Sequence, residues 1–410
     1  MEPQLLPTEP ATATGNARIQ VVDALRGFAL LGILVAHLSV WFDGGPLPGS
    51  VYQLSGQGVA NQVVGTIVGI FVSGKFYTFF SFLFGLSFAL MLTRSTDAPG
   101  VFLWRFAWRL LLLGGIGFLH HLHWRGDILS IYAVLGFPML LFRQASTRLV
   151  LVVAILLVLN VPAKLRDAYQ TYAVTPPTKA QQDAAQQADE KLVNANYQII
   201  KHGSYAQMIG VNLREFKTKM DFQLNSGRIY ITLGFFLLGL YAGRKRLFQQ
   251  LTDHRSFFRK LTRYTGFTVL GILALFAVAI AIIGQNNQPP KPVELLFSLL
   301  YDLGSSALTV FYITGLTLLL SRASWTWIAS PLASVGKMAR TNYVGQSIIG
   351  TLLFYGYGLS LIGEIGTARV VLLTIPIFLA QILFSRFWLA RYQYGPLEWL
   401  WRSLTYLRVQ

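Results

Sequence analysis

Long apolar stretches recur from one end of this chain to the other, at 19–42, 76–93, 106–121, 128–142, 149–163, 229–242, 266–284, 295–320, 332–357 and 370–390. A helix rising about 1.5 Å per residue needs some twenty such residues to cross roughly 30 Å of hydrocarbon, and only helices or closed barrels satisfy their own backbone there. The pattern therefore predicts an all-α, polytopic transmembrane helical bundle with about ten spanning helices. Several runs fall short of about twenty residues and would extend into their flanks. The run at 59–72 is rich in small residues and abuts Gly74-Lys75, so it reads as an interfacial or re-entrant piece, with a further span as the alternative.

Composition agrees, because 53% hydrophobic and only 12% charged residues could not be hidden in one soluble core. A net charge of +17 would suggest nucleic acid if it lay on one face. Instead the basic residues alternate by loop. Arg18, Arg94, Arg105, Arg109, Arg143, Arg148, the 244–263 stretch, Arg322, Lys337, Arg340, Arg386, Arg391, Arg402 and Arg408 fall on one side, and little beyond Lys75, Arg125, Lys291 and Arg369 on the other. That asymmetry places both termini in the cytoplasm, with the chain a multi-pass membrane protein. No nucleic-acid partner is expected; membrane lipid is. There is no cysteine, which excludes disulfides, thiolate metal sites and a cysteine nucleophile, so chemistry must come from His, Asp, Glu, Ser or Arg.

The organisation follows. Residues 1–17 read as a disordered cytoplasmic tail, 18–163 as an N-terminal transmembrane half of about five helices, and 227–392 as a C-terminal half of about five. Between them, 164–226 is an extracytoplasmic polar insertion, either a solvated helical hairpin that only connects or a lid over the outer mouth. Residues 393–410, with Trp399 and Trp401 beside Glu398 and Arg402, suit an interfacial amphipathic terminus. The first run is followed by Asp43-Gly44-Gly45-Pro46 and not by a small-residue cleavage site, so it reads as a retained helix. No internal repeat and no Walker, Rossmann or zincin motif is present.

The richest segment is the first helix, which carries Asp23, Arg26 and His37 in an apolar background. Eleven steps of about 100° bring Arg26 and His37 within roughly 20° of one another, some 16 Å apart along the axis. Asp23 lies three residues before Arg26, within ion-pair reach. Ionisable groups in lipid face a bundle interior or a wet cavity, so these three define a polar stripe. It is either an interfacial anchor with an interhelical hydrogen bond at His37, or a site.

Elsewhere, His120, His121, His123 and Asp127 gather where the third run ends. Imidazoles at adjacent and alternate helical positions diverge, so no metal site is expected. His120 and Asp127 could support the outer mouth, or Asp127 could simply cap the next helix. Asn342 and Gln346 share a face, as interhelical glue or as a substrate-lining pair. Gly239 and Gly243 read as helix packing within the bundle. Lys75 would snorkel to the interface.

Asp23-Ala24-Leu25-Arg26-Gly27 before an apolar run resembles the opening signature of the YeiB-type family of bacterial membrane proteins. The resemblance continues through Lys75-Phe-Tyr-Thr-Phe-Phe-Ser-Phe-Leu-Phe-Gly85, His120, Gly126-Asp127-Ile-Leu-Ser-Ile-Tyr132, Gly336-Lys-Met-Ala-Arg-Thr-Asn342-Tyr and Gly395-Pro-Leu-Glu398-Trp-Leu-Trp-Arg402. That family resembles, in its first helices, a broad superfamily of transmembrane acyltransferases, one branch of which carries Arg, ten residues, then His. Arg26 and His37 reproduce that spacing, where YeiB-type proteins more often have Asn in place of the His.

The resemblance implies an acyltransferase moving an acyl group from cytoplasmic acyl-CoA, a co-substrate and not a resident cofactor, to an envelope glycan or lipid outside. His37, Arg26 and Asp23 would be catalytic. His120, Asp127, Asn342 and Gln346 would line the substrate, and Arg26, Lys337 and Arg340 would hold the phosphates of coenzyme A. A transporter or lipid flippase and a non-catalytic membrane scaffold are the alternatives. The sequence carries no signal of oligomeric state.

Overall fold

The computed structural model describes residues 20–42, 47–284 and 289–407. The expected tail at 1–17 lies outside the described residues. α1 (Gln20–Ala36) passes at His37 into a π-helical turn, His37–Phe42. α2 (Gly49–Ser55) and α3 (Val59–Phe71) follow, and α3 meets α4 (Phe76–Arg94) at a turn where Gly74 takes a φ of +80°. Val59–Arg94 nonetheless counts as one segment long and apolar enough to cross a membrane, so the piece expected to lie in the interface runs on into α4. Lys75 at that turn does not snorkel: it is buried, donating to the Gly69 carbonyl at 3.2 Å beside the Tyr301 ring.

α5 (Pro99–His123) and α6 (Leu129–Leu141) form a hairpin, and α7 (Thr147–Val158) bends by 42° into α8 (Val161–Ala173) at Asn160, whose φ is +56°. The polar insertion holds α9 (Lys179–His202) and α10 (Tyr205–Asn225), each opened by a capping box, Thr178 with Gln181 and Ser204 with Gln207. The second half comprises α11 (Arg228–Arg244), α12 (Arg255–Ile283), α13 (Lys291–Leu320), α14 (Thr326–Lys337), α15 (Ala339–Phe354), α16 (Thr367–Leu389) and α17 (Pro396–Tyr406).

Among the described residues, six helical segments are long and apolar enough to cross a membrane, or seven if the bent α7–α8 pair is one span. The other runs of the expected ten give shorter pieces. Run 128–142 becomes the 13-residue α6, 229–242 the 17-residue α11, and 332–357 breaks at Met338 into α14 and α15.

Close backbone-on-backbone crossings hold the bundle, and glycine makes them possible. A Cβ on Gly27 would stand 2.0 Å from the Leu332 carbonyl oxygen, and one on Gly336 1.9 Å from that of Asp23, so α1 lies directly on α14. Similarly Gly85 meets Phe236 and Gly239 meets Phe82, joining α4 to α11. α12 stands at the rim with Tyr264, Phe267 and Leu270 exposed, as a lipid-facing helix requires.

Overpacking such a crossing typically costs about 1–3 kcal/mol. Gly336→Val should therefore lower the melting temperature of the detergent-purified protein by several degrees. Gly115→Ala, where a Cβ meets nothing within 4 Å, should leave it unchanged.

Candidate functional site

The polar stripe of α1 faces inward, onto a cavity of about 760 Å³ whose wall includes Asp23, Arg26 and His37. The stripe's two ends therefore open on one space.

At the Arg26 pole, Arg26 donates from Nη1 to Asp23 Oδ1 at 2.7 Å and from Nη2 to Ser87 Oγ at 2.7 Å. Asp23 is fully buried. Around it the wall carries Arg94, Arg109, Lys337, Arg340 and Arg402. Arg340 and Arg109 stack on the Trp401 ring at 3.7 and 4.0 Å, which fixes both guanidinium planes. Arg109 Nε is buried without a hydrogen-bond partner. The two carboxylates here are engaged. Asp23 holds Arg26, and Glu398 accepts from the Arg340 and Thr341 amides at 2.6 and 3.3 Å and from Thr341 Oγ at 2.6 Å, capping the start of α15. Six cations against two occupied acids leave this pole electropositive, suited to a multiply charged anion.

At the other pole, the α-helix gives way to π winding at His37, a local change frequent at functional sites. The imidazole is 8% exposed, edge-on to Trp124 with centroids 4.4 Å apart and to Tyr343 at 5.6 Å. Its Nδ1 is buried with no partner.

His120 shares those aromatic neighbours, 6.0 Å from Trp124 and 5.1 Å from Tyr343. Its Nδ1 meets Asp127 Oδ1 at 2.9 Å and its Nε2 meets Ser347 Oγ at 2.6 Å. Asp127 also caps α6 through the Leu129 and Ser130 amides and accepts from Ser130 Oγ at 2.7 Å and Lys219 Nζ at 3.2 Å. Asp127 thus bonds the first amides of α6 and the His120 ring at once. Burial alone would raise its carboxyl, but the His120 hydrogen bond, the Lys219 charge and the Ser130 hydroxyl hold it well below the usual carboxylate range.

The remaining imidazoles diverge. His121 Nε2 meets the Asn212 carbonyl at 2.8 Å, while His123 meets Thr351 Oγ1 and the Tyr205 hydroxyl. Among the described residues no group of three or more His, Asp or Glu is placed to hold a metal ion.

Asn342 and Gln346 are buried and do not lie on the cavity wall. Asn342 donates to the Val335 carbonyl at 3.1 Å and Ser385 Oγ at 3.0 Å, and Gln346 to the Leu30 carbonyl at 3.1 Å and Gln381 Oε1 at 3.0 Å. They join α15 to α14, α16 and α1. His120 is likewise behind the wall, whereas Asp127, Lys337 and Arg340 are on it. Reading the sequence alone missed Arg109, Arg402 and Tyr343 as wall residues. Arg109 sits inside an apolar run, a signal of inward orientation that the count of loop charges absorbed.

Together these features define a helical bundle, apolar enough to span a membrane, built around an internal cavity that is cationic at one pole and carries an imidazole at the other. Residues 242–408 match the family described as "Protein of unknown function (DUF418)". The chain is 30% identical over 407 residues to "Uncharacterized protein YxaH" of Bacillus subtilis (strain 168), covering 96% of each chain. It is 28% identical over 406 residues to "Uncharacterized protein YeiB" of Escherichia coli (strain K12), covering 94% of this chain and 95% of that one. The chain therefore belongs to the YeiB-type family. No solved structure matches it.

Asp127 joins His120 of α5, the start of α6 and the Lys219 ammonium of α10, and removing one partner of such a buried cluster costs about 3–5 kcal/mol. Asp127→Asn should be destabilised to that degree at pH 7. Because the folded-state pKa is depressed, this stabilisation is present above the unfolded carboxylate pKa of about 4 and is lost as pH falls toward the folded value. The gap in melting temperature between wild type and variant should accordingly narrow below about pH 4.

Proposed function

We propose that this protein is a transmembrane acyltransferase of the bacterial cytoplasmic membrane, with its N-terminus in the cytoplasm and about ten spans once the shorter helices are counted. The observation that carries the reading is that Arg26 and His37 line one cavity. Acyl-CoA would approach from the cytoplasm and lodge its phosphates among Lys337, Arg340, Arg109 and Arg402, guanidinium groups being suited to bidentate phosphate contact. Its flexible arm would then run along the stripe of α1 past Arg26, over the roughly 16 Å that separate the poles.

His37, as a neutral imidazole, is placed to take the proton from an acceptor hydroxyl as that oxygen attacks the thioester carbonyl. The new ester bond forms, the carbon–sulfur bond breaks, and the thiolate of coenzyme A leaves and recovers the proton from the imidazolium. Trp124 and Tyr343 set the plane of the ring. Envelope glycans or lipids on the outer side are the acceptors this arrangement serves.

General acid–base catalysis is typically worth 10²–10⁴-fold. Transfer of label from acyl-CoA to an envelope extract by the purified, reconstituted protein should fall by about that factor in His37→Ala, with the melting temperature preserved. Unchanged transfer would remove His37 from the chemistry. The same cavity, cationic at one pole, favours a second reading, a permeation route for an anion. Substrate flux into liposomes in the absence of any acyl donor would establish that reading in place of transfer.

A further inference from the structure

The His37 pole of the cavity carries a set of donors that the transfer chemistry does not require. Its wall includes Arg228, Arg125, Lys219, Tyr77 and Gln223. Arg228 opens α11, with its guanidinium 4.2 Å from the Tyr77 ring centroid and 5.5 Å from that of Phe222. Aromatic faces of this kind hold a guanidinium plane while leaving its edge N–H groups for a ligand. Arg228 Nε is buried without a hydrogen-bond partner. Asp302, the carboxylate on that side, is taken up by Lys164 at 2.7 Å and Asn160 at 3.1 Å.

The two acids on this wall are also engaged. Asp127 is saturated as described above, and Glu215 accepts from Asn196 Nδ2 at 3.2 Å. What faces the cavity here is therefore a guanidinium pinned between two aromatic rings, on a wall whose acids are already bonded.

The geometry points to a binding site for an oxyanion, phosphate or carboxylate, at the His37 pole, held by Arg228 with Gln223 beside it. Taking its ligand to be the acyl acceptor rests on the acyl-transfer reading, and the acceptor is then an anionic, hydroxylated headgroup or sugar whose hydroxyl is presented to His37. The anion site itself rests on the cavity alone.

The test is hydrogen–deuterium exchange on the full-length protein in detergent, with glucose 6-phosphate, glucuronate and glucose as probes. Either anion should protect peptides spanning 215–231 while glucose does not, and whichever anion acts identifies the group as phosphate or carboxylate. Arg228→Gln should weaken that protection at least tenfold, and Arg402→Gln at the opposite pole should leave it intact. Arg228→Lys, which keeps the charge, should lose less than the Gln variant and decides the matter if Arg228→Gln proves misfolded by its melting curve. Protection by glucose equal to that by the anions, no protection by either anion, or undiminished protection without the Arg228 side chain would overturn the site. Because the readout is binding, a failed transfer assay and a failed anion site remain distinguishable.

Discussion

Three ionisable side chains on an otherwise apolar first helix set the terms for the rest of the bundle. Asp23, Arg26 and His37 would each cost several kcal/mol if turned toward hydrocarbon, so α1 must present that stripe to the interior. The opposite constraint acts on its neighbour: α14 can approach α1 closely only because Gly27 and Gly336 have no side chains. With α1 gripped by α14 and tied to α4 through Ser87, the stripe is left facing a space that no other helix fills.

That space is polar at both poles for different reasons. At the Arg26 pole, cations are concentrated by stacking: Trp401 from α17 holds Arg109 and Arg340, and Glu398 is diverted to cap α15. At the His37 pole, charge is organised through Asp127, which links the α6 cap, His120 and Lys219. Lys219 belongs to α10, so the polar insertion is bonded into the wall of the cavity. Asn212 adds a second tie, donating to the Leu122 carbonyl at 2.9 Å and accepting from His121.

Much of this was legible in particular residues. The helical repeat put Arg26 and His37 on one face, Asp127 just before the 128–142 run announced a cap, and Gly239 with Gly243 announced close packing; each depends on neighbours within a few turns of helix. Asn342 and Gln346 show the limit of such reading. Four residues apart, they share a face as expected, but whether that face meets a cavity or the Leu30 carbonyl and Gln381 depends on helices far away in sequence. Arg109 and Arg402 were hidden because a positive charge serves topology and chemistry alike, and Tyr343 because distant helices decide what its face meets.

The amino-acid sequence by itself determined that the chain is helical, that lipid is the solvent for much of it, and which residues of α1 share a face, because hydropathy and a 3.6-residue repeat are local properties. The tertiary structure alone decided that the stripe opens on a cavity, that Arg109, Arg340 and Trp401 converge, and that α10 closes one pole. Those outcomes depend on how closely glycine-bearing helices approach and on which distant side chains then meet, and neither distance is written in any one segment.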